Sequence, residues 1–141
     1  MTKIPIEVSA RHVHLSKKDL ERLFGKNYKL KKLKKLSQED DFASKDKITI
    51  ISKNNKLQAR VLGPSRNKSQ VEISITDAYF LKLKQIPKLR VSGDLTGTDK
   101  ITIKGKKGTI KARIIIAQRH LHIPVSTAKK LKLKNNQKIK I

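Results

Sequence analysis

The sequence predicts a mostly β protein with short α-helices, arranged as two similar small β-barrel halves. Strand-length runs of β-branched residues recur from end to end, and turn signals such as Asn54-Asn55 and Gly63-Pro64 separate them. A segment near the start of the chain is repeated near its end. At 141 residues, the chain is one ordinary domain or two very small ones.

Seven runs have the composition and length of strands, because they are rich in Ile, Val and Leu and are bounded by turn-forming residues. In chain order, the predicted strands are Ile4–Val8, Lys47–Ser52, Leu57–Leu62, Val71–Ile75, Ile101–Ile103, Ile110–Ala117 and Gln137–Ile141. Many short strands at close spacing are typical of small barrels or sandwiches.

Two short helices are predicted. The first follows Ser16, a favoured N-cap residue, has Asp19 in its first turn and ends at Gly25. The second starts at Pro124, because proline is favoured at the first helical position, and runs to about Leu131. Each helix would have about two turns.

The same motif precedes both helices. The first copy reads Arg11-His12-Val13-His14-Leu15, and the second reads Arg119-His120-Leu121-His122-Ile123. The offset from His12 to His120 is 120 − 12 = 108 residues, and the two copies contain all 4 histidines of the chain. The pattern predicts an internal duplication of a strand, an HxH motif and a helix.

The duplication predicts two domains. The first β-barrel half would span 1–90, and the second would span 91–141, with Ile4–Val8 exchanged between them. The second half is expected to be short at its C-terminus, since the sequence stops inside the alternating run Lys138-Ile139-Lys140-Ile141.

The composition excludes several kinds of chemistry and location. The chain has no cysteine, which rules out disulfides, thiolate nucleophiles and Cys-ligated zinc. No apolar run approaches the roughly 18 residues that a membrane span needs. Residues 1–8 lack the apolar stretch of a signal peptide. We therefore expect a cytoplasmic protein in which any metal ligands are His, Asp or Glu.

The net charge of +24 leaves two interpretations open. It suits a basic β-barrel module that binds nucleic acid. Such binding would depend strongly on salt and would persist after a chelator removes any metal. However, 28 of the 35 basic residues are lysines spread along the chain, densest at Lys29–Lys35, and only 4% of residues are aromatic. Nucleic-acid readers usually add arginine and stacking aromatics. We therefore favour a solvated lysine surface.

The two HxH pairs are candidate metal ligands. Alternate residues of an extended segment point to the same face, so His12 and His14 would form one pair of donors, and His120 and His122 a second. Neutral imidazole suits zinc, and also cobalt, nickel or iron. Glu72 is the best further ligand, because it lies in a predicted strand with apolar residues on the alternate face.

Arg66 is a candidate phosphate ligand. It follows Gly63-Pro64, which predicts a turn that places the guanidinium at the tip of a hairpin. Arginine offers a planar, permanently charged fork to phosphate oxygens. A plain basic β-turn is the competing interpretation.

Taken together, these motifs resemble the phosphate propanoyltransferase family of phosphotransacylases, in the family's order and over about residues 4–135. They read Val8-Ser9-Ala10-Arg11-His12-Val13-His14-Leu15-Ser16, Arg60-Val61-Leu62-Gly63-Pro64-Ser65-Arg66, Gln70-Val71-Glu72-Ile73-Ser74, Ser92-Gly93-Asp94-Leu95 and Arg119-His120-Leu121-His122. The resemblance implies a zinc-dependent exchange of short-chain acyl-CoA plus phosphate for acyl phosphate plus CoA. It also implies a fold of two β-barrels with short helices and two zinc ions.

The resemblance also implies a role for each matching position. The first zinc would take His12, His14 and Glu72, the second would take His120 and His122, and Arg66 would bind phosphate as the catalytic arginine. CoA would contact Val8, Ser9, Ala10, Lys53 and Arg60. Since no Ser-His-Asp or Cys-His nucleophile is evident, we expect direct transfer without an acyl-enzyme.

One feature departs from the family. The family's second zinc takes a third histidine from a later segment, and this chain has only 4 histidines. Three explanations stay open: the chain is a fragment, another subunit of a homodimer supplies the missing part, or the second zinc is weakly bound or absent. An inactive CoA-binding fragment is therefore a further possibility. No membrane partner is expected.

Overall fold

A computed structural model describes residues 8–38 and 40–140. Its strands are β1 (His12–Ser16), β2 (Lys32–Lys35), β3 (Phe42–Ser52), β4 (Asn55–Arg66), β5 (Gln70–Glu72), β6 (Leu89–Arg90), β7 (Lys100–Lys104) and β8 (Thr109–Ala117). Its helices are α1 (Lys17–Phe24), α2 (Ile75–Phe80) and α3 (Val125–Lys130). The protein is thus mostly β with three short helices, as the sequence predicts.

Six of the strands close into a barrel. β4 forms a hairpin with β3 and pairs in parallel with β1, and β1 pairs antiparallel with β5. β5 pairs in parallel with β8, and β7 joins β8 to β3. β2 and β6 extend this ring, on β3 and β8 respectively. Closure leaves the six barrel strands with a partner on both sides.

The barrel core follows from the alternation of side chains along each strand. Val13, Val61 and Val71 are fully buried at equivalent positions of three adjacent strands. Leu23 of α1 and Leu81 after α2 are also fully buried and belong to the same apolar cluster. The residues that flank the three valines in sequence therefore face outward, and they include the candidate ligands.

Four predicted strands lie within described strands, and one is only partly confirmed. The confirmed runs are Lys47–Ser52, Leu57–Leu62, Ile101–Ile103 and Ile110–Ala117. The predicted run Val71–Ile75 ends early, because Ser74 starts α2 with a complete capping box to Asp77. The Ser-x-x-Asp spacing of that box is a helix-start signal that the strand assignment missed.

The predicted hairpin turn at Gly63-Pro64 is wrong. β4 continues through these residues to Arg66, and the chain turns at 67–69 before β5. Gly63 pairs with Phe42 of β3, and a Cβ at Gly63 would overlap the Phe42 ring. The glycine is thus needed for a close approach between strands rather than for a turn. Arg66 consequently lies at a strand end.

The predicted strand Gln137–Ile141 is also wrong over its described part. Residues 137–140 adopt no strand. Ile141 lies outside the described residues. The predicted strand Ile4–Val8 lies outside them except for Val8, which is in no strand and is 97% exposed.

Both predicted helices are confirmed. Ser16 caps α1 by accepting a hydrogen bond from the Asp19 backbone N–H, and Gly25 ends the helix in a left-handed conformation. α3 starts directly after Pro124. The starts of α1 at residue 17 and α3 at residue 125 differ by 125 − 17 = 108, the same offset as the HxH pairs.

The predicted division into 1–90 and 91–141 stays a prediction. Within the described residues, β7 and β8 of the second segment complete the same barrel as four strands of the first. No helix among the described residues has the length and hydropathy to cross a bilayer.

Gly63→Ala should lower the free energy of unfolding by about 1–3 kcal/mol, because the new methyl group has no space beside the Phe42 ring. Urea denaturation of the variant checks this. In a Phe42→Ala background, the cost of Gly63→Ala should be smaller, since the ring that the new methyl group would meet is gone. An equal cost of Gly63→Ala with and without Phe42 would contradict the packing argument.

Candidate metal centre

Strand pairing brings three of the predicted ligands together. β1 and β5 are antiparallel, with His12 opposite Glu72 and His14 opposite Gln70. Because Val13 and Val71 between them point into the barrel core, all four polar side chains share the outer face of the two strands. His14, Gln70 and Glu72 are nevertheless buried. The cluster is therefore largely shielded from solvent on the barrel wall.

The two imidazoles converge on the Glu72 carboxylate. His12 Nε2 lies 3.3 Å from one carboxylate oxygen, and His14 Nε2 lies 3.7 Å from the other. The three ligand atoms are all within 4.8 Å of one another. Donors placed about 2 Å from a tetrahedral zinc ion are about 3.3 Å apart, so the spacing suits such an ion. Among the described residues, this is the one group of three or more such donors.

The chemistry of the donors also fits a cation. His12 Nδ1 lies 2.8 Å from the Ala10 carbonyl, which only accepts, so Nδ1 carries a proton. In neutral His12, the lone pair of Nε2 then faces the carboxylate of Glu72. Either a proton on Nε2 or a metal ion between the two groups satisfies this contact. A backbone carbonyl that orients a ligating histidine through its other nitrogen is typical of metal sites.

Burial and neighbouring charges shift the pKa values of His12, His14 and Glu72. Burial by itself lowers the pKa of His12, but the hydrogen bond to Glu72 and its negative charge raise the pKa above its ordinary value. His14 has no such hydrogen bond, so burial, together with the charges of Arg66 and His12, lowers its pKa. Burial raises the pKa of Glu72, yet the contact with His12 outweighs it and the net pKa is lowered. Glu72 is thus ionised at neutral pH.

A hydrogen-bond network joins Glu72 to Arg66. The Ser92 hydroxyl donates to Glu72 Oε1 at 2.7 Å and accepts from the Arg66 guanidinium at 3.1 Å. Gln70 donates to Ser92 at 2.8 Å and also to Glu72, and its side-chain oxygen accepts from the Gly93 N–H at 2.9 Å. Ser92 therefore fixes the candidate phosphate ligand relative to the candidate metal ligand.

The second histidine pair repeats the local geometry of the first. The two rings are edge-on in both pairs, with centroids 5.1 Å apart for His12 and His14 and 4.6 Å apart for His120 and His122. His120 Nδ1 lies 2.6 Å from the carbonyl of Gln118, as His12 Nδ1 does from that of Ala10. The repeated motif thus has a repeated conformation.

The surroundings of the two pairs differ. His120 and His122 are exposed and lie in no described strand, and no described carboxylate completes a donor group with them. Their described side-chain contact is with Gln38, whose amide is 2.8 Å from His122 Nε2. Burial lowers the pKa of His122, and the charges of His120 and Arg66 lower it further.

Arg66 lies within electrostatic reach of both histidine pairs. Its charge lowers the pKa of His14 in the first pair and of His122 in the second. Asp41, at the start of the segment that leads into β3, is 3.8 Å from the guanidinium and raises the pKa of His122. The charge of Arg66 therefore acts on one histidine of each pair.

The residues matched to CoA contacts are dispersed. Val8, Ser9 and Ala10 are exposed just before β1. Arg60 is opposite His12 on the neighbouring strand and donates to the Ser44 carbonyl at 2.6 Å. Lys53 lies in the turn between β3 and β4, 60 − 53 = 7 residues from Arg60. The structure thus brings Arg60 to the site and Lys53 to the far end of the hairpin, roughly 20 Å along the strand.

Sequence reasoning missed three residues that organise the site. Gln70 was detectable, because it is two residues before Glu72 and so shares its face of a strand. Ser92 lies in a loop that, by itself, looks like a plain connection. Asp41 carries no local signal, since its contact with Arg66 joins residues 25 positions apart.

The fold and the site define the class of this protein: a β-barrel with a buried cluster of two histidines and a glutamate, linked to an arginine. A sequence profile of the phosphate propanoyltransferase family matches residues 5–141. The chain is 43% identical over 141 residues to a phosphate propanoyltransferase of Thermotoga maritima, which covers 98% of this chain. It is 43% identical over 130 residues to one of Clostridioides difficile, which covers 90% of this chain.

The chain belongs to the phosphate propanoyltransferase family. A relative from Rhodopseudomonas palustris is 38% identical over 142 residues. The chain spans 66%, 61% and 62% of the lengths of these three relatives, in the order given. The match on which family membership rests therefore covers about two thirds of the length of each relative.

The cluster predicts the order of histidine titration in the metal-free protein. NMR of the imidazoles in chelator-treated protein should show His12 protonated to a higher pH than an ordinary histidine, and His14 neutral to a lower pH. Glu72→Gln should lower the pKa of His12 below its ordinary value, because burial remains while the negative charge is lost. Asp41→Asn is the control, and its His12 should titrate as in the parent. An unchanged His12 in Glu72→Gln would contradict the assignment.

Proposed function

We propose that this chain is a zinc-dependent phosphate acyltransferase. It would interconvert a short-chain acyl-CoA plus phosphate with an acyl phosphate plus CoA. The observation that supports this best is the junction at Ser92, which links the His12–His14–Glu72 cluster to Arg66. A metal centre beside a phosphate ligand suits a reaction between a thioester and phosphate, because one group activates the carbonyl while the other orients the nucleophile. Membership of a family whose relatives carry the name phosphate propanoyltransferase agrees with it. A cytoplasmic location is part of the proposal.

The first zinc would be held by His12, His14 and Glu72, and the protein would leave its further positions to substrate. When bound, zinc supplies a Lewis acid that polarises the thioester carbonyl and stabilises the departing thiolate. The Ala10 carbonyl would keep His12 in the tautomer that presents Nε2. Burial would keep His14 neutral, which is the form that binds metal.

Arg66 would bind and orient the phosphate. A phosphate oxygen then attacks the carbonyl carbon and forms a C–O bond, and the C–S bond breaks with its electron pair going to sulfur. The acyl phosphate and the CoA thiolate are the products, so no oxidant or further reactant is needed. Asp41 is within 3.8 Å of the guanidinium and would yield this place to the incoming anion. The sequence contains no cysteine, which agrees with direct transfer that does not pass through an acyl-enzyme thioester.

His120 and His122 would supply two ligands of a second zinc. The effect of the Arg66 charge on the pKa of His122 supports a place at the same reaction centre. A third donor from outside the described residues, such as a second subunit of a homodimer, would complete that site. CoA would approach along Arg60 and the exposed residues Val8, Ser9 and Ala10.

The net charge supports a second candidate, a basic barrel that binds nucleic acid. That function predicts binding that falls steeply with salt and is unaffected by chelation. An inactive family member that only binds CoA is a third candidate. Zinc content and turnover separate all three.

Zinc-loaded protein should contain at least one zinc per chain after dialysis, measured by mass spectrometry of the metal. Glu72→Gln should weaken binding by more than ~100-fold, because even outer-shell changes at metal sites cost 10–100-fold. Asp94→Asn removes an exposed carboxylate on the neighbouring loop and should leave the zinc content unchanged. Two ions per chain would support a complete second site, and none would exclude the metal centre.

Arg66→Ala should reduce turnover of propanoyl-CoA with phosphate by about 100-fold or more, because it removes the charged donor for phosphate. Thiol release measures the rate. The loss should fall on the KM for phosphate and on kcat, with the KM for propanoyl-CoA little changed. Arg22→Ala, on the exposed face of α1, is the matched control. Equal rates for both variants would exclude the role of Arg66. No turnover by the zinc-loaded parent would show that this chain alone is not a competent enzyme.

A further inference from the structure

We propose that Arg11 and Asp77 are positioning residues for the metal centre, because their ion pair holds the strand end that carries His12 against the strand end that carries Glu72. Neither residue belongs to the candidate ligand set. The inference rests on the zinc site of the proposed function and adds two residues that act on it through the backbone. It assigns a role to the arginine of the first Arg-His-Val-His motif, which the proposed reaction leaves without one.

The ion pair lies at the end of the ladder between β1 and β5. The described pairing of these strands ends with His12 opposite Glu72, so two candidate ligands form its last rung. The next residue of β5, Ile73, donates its backbone N–H to Ile115 of β8 at 3.2 Å and not to β1. Terminal pairs open more readily than interior ones. A contact beyond this rung therefore helps to keep the two ligands opposite each other.

One carboxylate bridges the two strand ends. Asp77 Oδ1 accepts hydrogen bonds from Arg11 Nε at 2.9 Å and from Arg11 Nη2 at 2.7 Å. Asp77 Oδ2 accepts from the backbone N–H of Ser74 at 3.1 Å, two residues after Glu72. Arg11 directly precedes His12, and the strands are antiparallel, so Arg11 and Ser74 lie at the same end of the ladder. The carboxylate thus ties the residue before one ligand to a residue just after another.

Burial makes this contact stronger than an ordinary surface ion pair. Asp77 is 6% exposed, whereas the Arg11 side chain is 40% exposed. Burial raises the pKa of Asp77, but the hydrogen bonds from Arg11 and Ser74 outweigh it and the net pKa is lowered. The carboxylate is therefore ionised at neutral pH. Removal of the guanidinium would leave a buried charge without its partner, which costs more than the loss of an exposed pair.

The repeated motif separates the local turn from this bridge. In both copies, the first histidine contacts the backbone carbonyl two residues before it. Arg11 pairs with Asp77, and His12 lies in a strand. Arg119 has no ion pair within 4 Å among the described residues, and His120 lies in no described strand. The turn thus forms without a bridge, and the bridge accompanies the pairing with β5.

The zinc affinity of the full chain tests the proposal, in a His120→Gln/His122→Gln background so that only the first cluster is titrated. Competition with a chelating dye measures the Kd. Arg11→Ala and Asp77→Asn should each raise the Kd by about tenfold, at the low end of the cost of changes around metal ligands, because they act through the backbone. The double variant should cost no more than either single change, since both remove the same bridge. Arg11→Lys keeps the charge without the planar fork, and its Kd should fall between those of the parent and Arg11→Ala.

Ser74→Ala is the matched control for the stability of α2. It removes the hydroxyl that accepts from the Asp77 backbone N–H at 3.0 Å, but it keeps the backbone N–H at position 74 and the Arg11 contact. It should lower the urea midpoint of unfolding through the lost cap and leave the zinc Kd within about twofold. The visible spectrum of bound Co²⁺ gives a second readout, because it reports the coordination geometry. We expect it to change in Arg11→Ala and to stay as in the parent in Ser74→Ala.

Each other outcome counts against the proposal. A zinc Kd that rises in Ser74→Ala as much as in Arg11→Ala would reduce the effect to helix stability. A double variant that costs about 100-fold would show that Arg11 and Asp77 act separately. Unchanged affinity in both single variants, with zinc bound by the parent, would overturn this inference alone. A parent that binds no zinc would overturn the metal centre of the proposed function, and this inference with it.

Discussion

The site depends on one buried carboxylate. Glu72 is 5% exposed, and an ionised carboxylate at that depth is strongly destabilising unless charge and hydrogen bonds compensate it. His12, His14, Gln70 and Ser92 all converge on it for this reason. The compensating groups come from β1, β5 and a loop that follows β6. The negative charge thus ties together segments that are far apart in sequence.

This constraint has a consequence for Arg66. Because Ser92 uses its hydroxyl proton on Glu72, its oxygen is left to accept, and the Arg66 guanidinium donates to it. The direction of these two hydrogen bonds therefore holds Arg66 beside the carboxylate of Glu72 without a direct ion pair between the two residues. Arg66 keeps donors for an incoming anion, which is the condition that the proposed phosphate transfer needs.

The sequence predicted what depends on local pattern and missed what depends on distant pairing. His12 and His14 were recognisable as same-face donors because the period of a strand is two residues. The helix at Ser16 followed from its cap. By contrast, Gly63-Pro64 looks like a turn, but β4 continues through it, and Gly63 packs against Phe42 of the neighbouring strand. The role of Ser92 arises only when the loop after β6 meets β5, and no local signal encodes that meeting.

The repeated motif shows how context decides the ligand set. Both histidine pairs have nearly perpendicular rings, and in both the first histidine contacts the backbone carbonyl two residues before it, so the repeated motif and the residue before it share one local conformation. Only the first pair lies in a strand, and its neighbour β5 brings a carboxylate opposite His12. The second pair lies in no described strand, and no described carboxylate completes a donor group with it. If His120 and His122 bind an ion as we propose, their third donor must come from a segment that packs against them from outside the barrel described here.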